Sequence, residues 1–320
     1  MKKDPTLTAD LMKLVAPETA GCPVTGERWV RTSLRGLSAA LDRRACPTTI
    51  GRLLRANGLG LRGHRKRLAR QTHADRDTQF RYIARQRRTF VGDHNPRISA
   101  DAEKRERVGV FKNPGRRWCR TATDVNAHDF PSDAVAQAIP YGVYDPELNR
   151  GHVCVGTSGN TADLAADAVR DWWRQKGKRQ YRDATALLIE ADGGGSNGSK
   201  SRRFELRLQE FADETGLAVT VCHYPPGASK WNPVEHKLFS QITATWAGVV
   251  LATVAILVGL IRRTTTATGL RVTARVMPGA YPTGRKVTAA EFEAIRLTRH
   301  ETCPQWNYTI HPRTGGKNTV

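Results

Sequence analysis

The sequence predicts a mixed α/β domain preceded by a small all-helical one, and three observations carry that prediction. From Ala186 to Phe239, strand-like runs alternate with helical periodicity. Ala186 to Ile189 is apolar, Phe204, Leu206, Leu208 and Phe211 recur at near-helical spacing up to a stop at Gly216, Leu217 to Cys222 is β-branched, and Asn232-Pro233 opens another helix. Upstream of that unit, several short strand-like runs are separated by turn residues. Finally, residues 1–90 hold 20 Lys/Arg against 7 Asp/Glu, so 13 of the 21 excess positive charges lie in less than a third of the 320-residue chain. A basic helical segment ahead of an α/β segment is the expected organisation.

Taken in order, residues 1–30 are polar and punctuated by Pro5, Pro17, Gly21, Pro23 and Gly26, so they are expected to be loosely ordered. Leu34, Leu37 and Leu41 mark one face of a short helix. Cys46-Pro47-Thr48-Thr49 breaks and recaps the chain, and Thr49 to Asn57 forms a second helix with Ile50, Leu53 and Leu54 inward, stopped by Gly58. Two short helices across a tight turn read as a helix-turn-helix, with Thr48, Thr49, Arg52 and Arg55 as contact candidates in a DNA major groove. An ordinary helical hairpin with a solvated basic face is the alternative. The basic run Arg62 to Arg70, which includes Arg65, Lys66 and Arg67, favours binding.

Ala74 to Thr89 reads as a basic linking helix, and the turn Asp93-His94-Asn95-Pro96 puts a domain boundary after residue 92. Strands are expected at Arg97 to Ala102, Arg107 to Lys112, Pro140 to Tyr144 and His152 to Gly156. A helix over Thr161 to Lys176 follows, and then the strand, helix, strand, helix unit. An antiparallel meander, a helix, then strand, helix, strand, helix is the order of an RNase H-like fold, here spanning residues 93–310 with a disordered tail at 311–320.

In that order the first strand lies beside the strand that ends before Asp192. Asp101 then faces Asp192 at the carboxyl ends of the strands, and Glu235 on the last helix closes the cluster. Three carboxylates make an oxygen-rich site suited to two Mg²⁺ or Mn²⁺ ions, the arrangement that cuts or joins phosphodiesters. Each acid has a plainer reading. Asp192 opens a glycine turn, Glu235 fits a capping box with Asn232, and Asp124 and Asp129 compete with Asp101. Gly193 to Ser201 misses the phosphate-binding loop pattern by one position, and Cys222-His223 with His236 lacks a second pair at zinc-ligand spacing.

The net charge of +21 and pI near 10.3 point to a polyanionic partner. Six cysteines without a C-x-x-C pair fit neither a zinc ribbon nor a disulfide framework, and the N-terminus lacks a signal peptide, so a reducing cytoplasmic, nucleoid-associated location is expected. Ile242 to Ile261 is uncharged and long enough to span a bilayer. Thr243, Thr245, Gly248 and Thr253 dilute it, and a buried helix with its connecting loop is the expected form, with no membrane partner.

The boxes ADGGGSNG (from Ala191) and SKWNPVEHKLF (from Ser229), with DRDTQFRYI, VGVFKN, HDFP, AIPYGVYD, TTTATGL, YPTG and WNYTI, extend over nearly the whole chain. Together they resemble the DDE transposases of bacterial insertion sequences, in the group with the Rhodopirellula-type DDE domain. The resemblance implies an acidic triad of Asp101, Asp192 and Glu235 and two Mg²⁺ or Mn²⁺ ions. It further implies binding to terminal inverted repeats and target double-stranded DNA as a homo-oligomer, followed by metal-dependent strand cleavage and strand transfer. Lys200, Arg202, Arg203 and Lys230 are candidates for backbone contacts. The chain departs from the family at Ala102-Glu103-Lys104-Arg105-Glu106, where relatives carry T-K-K-K-E, and the run Ala247 to Ile261 is unusually apolar. Relatives also carry a longer N-terminal region, which makes a catalytically inactive DNA-binding remnant the second reading.

Overall fold

The structure, a computed structural model, describes residues 4–15, 19–21, 28–30, 32–60 and 73–313. The chain divides into two compact units, Met1–Leu68 and Ala69–Val320. The first contains α1 (Leu7–Val15), a two-stranded antiparallel ribbon of β1 (Thr19–Gly21) and β2 (Arg28–Val30), α2 (Leu34–Ala40) and α3 (Pro47–Ala56). Ser33 caps α2 by accepting from the Gly36 N–H, and Pro47 occupies the first turn of α3, where a missing N–H costs nothing. Helix α3 therefore starts two residues earlier than Thr49. Leu37, Leu41 and Ile50 meet Leu11 and Val15 in one small core.

The helix α1 corrects the expectation that residues 1–30 are loose. Pro5 precedes a helix in which Leu7, Leu11, Leu14 and Val15 recur on one face, so punctuation that reads as loop marks a helix start. Arg44, in the turn between α2 and α3, pairs with Asp4 at 2.5 Å and Asp10 at 2.9 Å and ties this turn to α1.

The second unit begins with α4 (Arg76–Gly92), so the division falls before this helix and not after residue 92. Buried polar contacts explain the difference. Gln79 donates to the His223 carbonyl at 2.8 Å and exchanges side-chain hydrogen bonds with Asn307, and Arg87 reaches Glu190. After α4 come β3 (Arg97–Ala102), β4 (Glu106–Val108), β5 (Ala136–Asp145), β6 (Arg150–Gly156) and α5 (Ala162–Trp172). A π-helical turn (Trp173–Gly177) leads into α6 (Lys178–Gln180), and β7 (Ala186–Ala191), α7 (Arg202–Thr215) and β8 (Ala218–His223) follow. A π-helical segment (Val234–Phe239) then runs into α8 (Ser240–Trp246), and α9 (Val254–Arg262), β9 (Arg271–Val276), α10 (Ala289–Glu293), β10 (Leu297–Arg299) and β11 (Asn307–Ile310) complete the unit.

Among the described residues, the sheet of this unit has nine strands in the order β10-β11-β8-β7-β3-β5-β6-β9, with β4 paired to β5. Strand β5 is antiparallel to β3 and β6, whereas β7 is parallel to β3 and β8 to β7. The central five strands thus have the RNase H-like connectivity expected from the sequence. Strands β9, β10 and β11 extend both edges beyond it. The expected strand at 107–112 shrinks to Glu106–Val108, because the chain then leaves the sheet and the Gly109 N–H donates to Leu251 O at 2.9 Å.

Side chains alternate between the two faces of the sheet. Ile98, Ala100, Tyr141, Cys154, Leu187 and Ile189 pack on α5 and α7. The other face carries two smaller cores, one with Leu238, Phe239 and Trp246 and one with Leu188, Tyr224 and Ile83 of α4. The apolar run 242–261 is divided between α8 and α9 by a connection at 247–253, and it contributes Ile242, Leu257 and Ile261 to this core. No helix among the described residues is long and apolar enough to cross a membrane. At the other end, Arg313 is held to Asp213 of α7 at 2.6 Å, so residues 311–313 are ordered, and the rest of the expected tail lies outside the described residues.

Candidate active site

The parallel pairing of β3 and β7 sets Ala100 opposite Ala191, so the next residues, Asp101 and Asp192, leave the adjacent carboxyl ends of the two strands side by side. Asp101 lies on the face opposite α5, because Ile98 and Ala100 take the α5 face and Ser99 and Asp101 alternate with them. Glu235 reaches the same place from the π-helical segment. Gly142, the cross-strand partner of Asp101, makes that approach possible, since a Cβ there would sit 2.7 Å from the Phe239 ring.

A polar relay fixes Asp192. Ser99 Oγ donates to Asn232 Oδ1 at 2.5 Å and accepts from the Val234 N–H at 2.8 Å, which leaves the Asn232 amide group to donate to Asp192 Oδ1 at 3.2 Å. Behind it, the buried His223 ring donates Nδ1–H to the Asp192 carbonyl at 2.8 Å. Burial drives His223 down to about 4, so the ring is neutral at physiological pH and acts as a fixed donor. Asp101 Oδ1 accepts from the Ala102 N–H at 2.7 Å.

Electrostatics mark the three acids out. Burial, followed by repulsion from Asp192 and then from Glu235 and Glu103, pushes Asp101 up to about 8 against the opposing Ala102 hydrogen bond. Burial, then Glu103 and Asp192, pushes Glu235 up to about 7. Burial also raises Asp192, and the Asn232 bond works against that shift. Among the described residues none of these carboxylates forms an ion pair with Lys, Arg or His. The sequence missed Glu103, a fourth acid whose carboxyl is itself raised by burial and stands close enough to repel Asp101 and Glu235.

The competing readings resolve differently. Asp124 and Asp129 are exposed. The Asn232 N–H, which a Glu235 cap would serve, already donates to Ser229 O at 2.8 Å, and the Asn232 side chain is committed to Ser99 and Asp192. Asn232 and Ser99 were not legible as site residues, because the Asn-Pro pair reads as a helix start and Ser99 as a strand residue, and His223 was weighed only as a zinc ligand.

The basic candidates separate by their partners. Lys200 and Arg202 are exposed beside the glycine turn, with Arg202 over the Phe292 ring at 4.7 Å, and Lys230 is exposed over Trp231 at 5.4 Å. Arg203 is instead clamped by Asp163, 2.7 Å from its Nη2, and serves α5–α7 packing. In the first unit Thr48, Arg52 and Arg55 are exposed on α3 and Thr49 is half-buried, whereas Arg65, Lys66 and Arg67 lie outside the described residues.

A mixed sheet of RNase H-like order with three unpaired, partly buried acids at its carboxyl edge defines a nuclease- or transferase-like α/β protein. The chain belongs to the family described as "Rhodopirellula transposase DDE domain", whose model matches residues 10–312, and with it to the DDE transposases, enzymes of polynucleotidyl-transferase type. Solved structures with a similar outline include "Mos1 transposase paired-end complex with left transposon end" (14% identity, TM-score 0.42) and "Crystal structure of the mariner Mos1 paired end complex with Mg" (12% identity, TM-score 0.43). Each alignment covers 78% of this chain and 68% of the other. No curated protein matches the chain.

Proposed function

We propose that this transposase cleaves DNA at its element's ends and joins the freed 3′-hydroxyl to target DNA, using Asp101, Asp192 and Glu235 to hold two divalent cations. The observation that carries this reading is the gathering of three acids at one edge of an RNase H-like sheet, all raised by burial, Asp101 and Glu235 further raised by neighbouring acids, and none with a basic partner among the described residues. All-oxygen donors of this kind fit hard ions such as Mg²⁺ or Mn²⁺. When bound, such a pair of ions supplies the field that activates the attacking oxygen and stabilises charge on the leaving one.

The chain's own residues prepare that site. Asn232 and Ser99 hold one Asp192 oxygen in place and leave the other free. His223 fixes the backbone behind it, and Gly142 lets Glu235 approach. Near neutral pH, Asp101 and Glu235 retain protons until cations displace them, so cation loading releases protons and strengthens as pH rises through about 7 to 8.

Helices α2 and α3 act as a helix-turn-helix on the terminal repeats, with Thr48, Thr49, Arg52 and Arg55 in the groove. Lys200, Arg202 and Lys230 meet the DNA backbone near the acids, and two or more copies pair the element's ends. The test is nicking of duplex DNA that carries the repeats flanking the gene, in Mg²⁺ and in EDTA. Metal-dependent nicking supports the reading. Tight end binding without nicking in Mg²⁺ or Mn²⁺ would replace it with a non-catalytic DNA-binding protein.

A further inference from the structure

A second cluster of ligating side chains sits on the other face of the sheet, under α5. Strand alternation points His152 and Cys154 of β6 the same way, towards Asp171 on α5. Their ligating atoms all lie within 4.8 Å of one another. His152 Nε2 is 2.8 Å from Asp171 Oδ2, and Cys154 Sγ is 3.6 Å from the same oxygen. His152 and Cys154 are buried.

The surrounding hydrogen bonds orient these groups. The Thr273 hydroxyl lies 2.8 Å from His152 Nδ1 and 3.4 Å from Gly151 O, so it can accept from an Nδ1–H while donating to the carbonyl. With the proton on Nδ1, the Nε2 lone pair faces the Asp171 carboxylate. An Nε2–H donated to Oδ2 bridges these two atoms when no metal is bound, and a metal ion can take the same shared position. The other Asp171 oxygen is taken by Arg275 at 3.1 Å, which leaves Oδ2 for the shared centre. A histidine whose far nitrogen donates to a fixed oxygen, and a carboxylate whose outer oxygen is bonded elsewhere, form the usual outer support of a metal site.

We propose that His152, Cys154 and Asp171 form a structural transition-metal site, suited to Zn²⁺, that pins β6 to α5. Ordinary zinc bond lengths give ligand–ligand edges of roughly 3.3–3.6 Å in a tetrahedron. The Cys154–Asp171 separation already fits, and the His152–Asp171 contact opens by about half an ångström. Three protein ligands leave the fourth position of the tetrahedron to water. Binding displaces the thiol proton of Cys154, which burial and Asp171 hold far above its ordinary value, and needs His152 to carry its ring proton on Nδ1, facing the Thr273 hydroxyl. The thiolate and the carboxylate then balance the dication, leaving no net charge among the buried ligands.

The site is independent of the catalytic acids, and a thiolate-specific readout keeps the two apart. Full-length protein stripped with EDTA is titrated with Co²⁺ while the near-ultraviolet thiolate-to-cobalt charge-transfer band is recorded, since carboxylates alone produce no such band. The expected result is a band that saturates near one cobalt per chain and is bleached by Zn²⁺. It persists in an Asp101→Asn/Glu235→Gln protein and is lost in Cys154→Ser and in His152→Gln, each checked for folding by circular dichroism. The wild-type titration alone can overturn the proposal: absence of the band refutes it whatever the variants do. A band that survives Cys154→Ser also refutes it, since the ligand is then another of the six cysteines.

Discussion

Two acids at the end of β7 stand two residues apart and live in opposite surroundings. Glu190 is buried and fully answered. Arg87 donates to both its oxygens at 2.5 to 2.7 Å, Arg97 reaches it at 3.2 Å, and the Tyr224 hydroxyl donates at 2.8 Å. Asp192 receives one neutral amide bond, no cation and the company of other acids. A buried charge persists when it is paired and hydrogen-bonded. Glu190 therefore explains itself as part of the fold, whereas the unpaired Asp101, Asp192 and Glu235 are intelligible as a place waiting for positive charge.

The largest effect is expected from removing that unanswered charge. Asp101→Asn, Asp192→Asn and Glu235→Gln should each lower end-nicking in Mg²⁺ by at least about 10²–10³, leaving circular dichroism and end binding unchanged. Nicking at the wild-type rate by any one of them removes that residue from the site. The paired acid should behave in the opposite way. Arg87→Ala leaves Glu190 under-compensated and should cost stability at the lower end of about 3–5 kcal/mol, read as a shift in the urea midpoint. If instead it left stability untouched and stopped cleavage, the contrast between the two acids would collapse.

In the first unit, Arg52→Ala or Arg55→Ala should weaken end binding by about 1–3 kcal/mol where the side chain reads a base, and otherwise mainly flatten the salt dependence. Binding measured on full-length protein across a salt series separates the two. Asn232→Ala frees one Asp192 oxygen and strands the Ser99 hydroxyl, so nicking should fall by about tenfold, the worth of one ordinary hydrogen bond. Nicking at the wild-type rate would show that Asp192 needs no such support.

The smallest effect concerns pH in the metal-free protein. Asp101 and Glu235 are raised on folding, so the native state binds their protons more tightly than the unfolded chain. Their contribution is complete below the ordinary carboxylate range and is lost as pH rises to about 7 for Glu235 and about 8 for Asp101. Without metal, Asp101→Asn should remove part of that decline, giving a melting temperature a few degrees above wild type at pH 8 and little difference at pH 4. A wild-type advantage at pH 8 in EDTA would mean that the acid cluster is not repulsive.

The central unit was readable because its signals are local. The periodicity of Phe204, Leu208 and Phe211, the β-branched run ending at Cys222 and the turn at Gly216 each act within one element, and short crossovers between such elements leave few topologies. The acids were readable for the same reason, since a residue just past a strand end is placed by the strand. Helix α1 was hidden because two prolines near its ends mimic a loop. Helix α4 was misassigned because its surface is basic while its attachment is polar, through Gln79 and Arg87.

By itself, the sequence determined the order of elements, the surplus of positive charge in the first 90 residues and the acids that end β3 and β7. Only tertiary structure decided which acids are paired, that Glu103 joins the cluster, that Asn232 supports Asp192 instead of capping a helix, and that His152 and Cys154 meet Asp171. The physical reason is range. Periodicity and capping act over a few residues, whereas burial, ion pairing and metal ligation depend on side chains up to more than a hundred positions apart, such as Asn232 and Ser99.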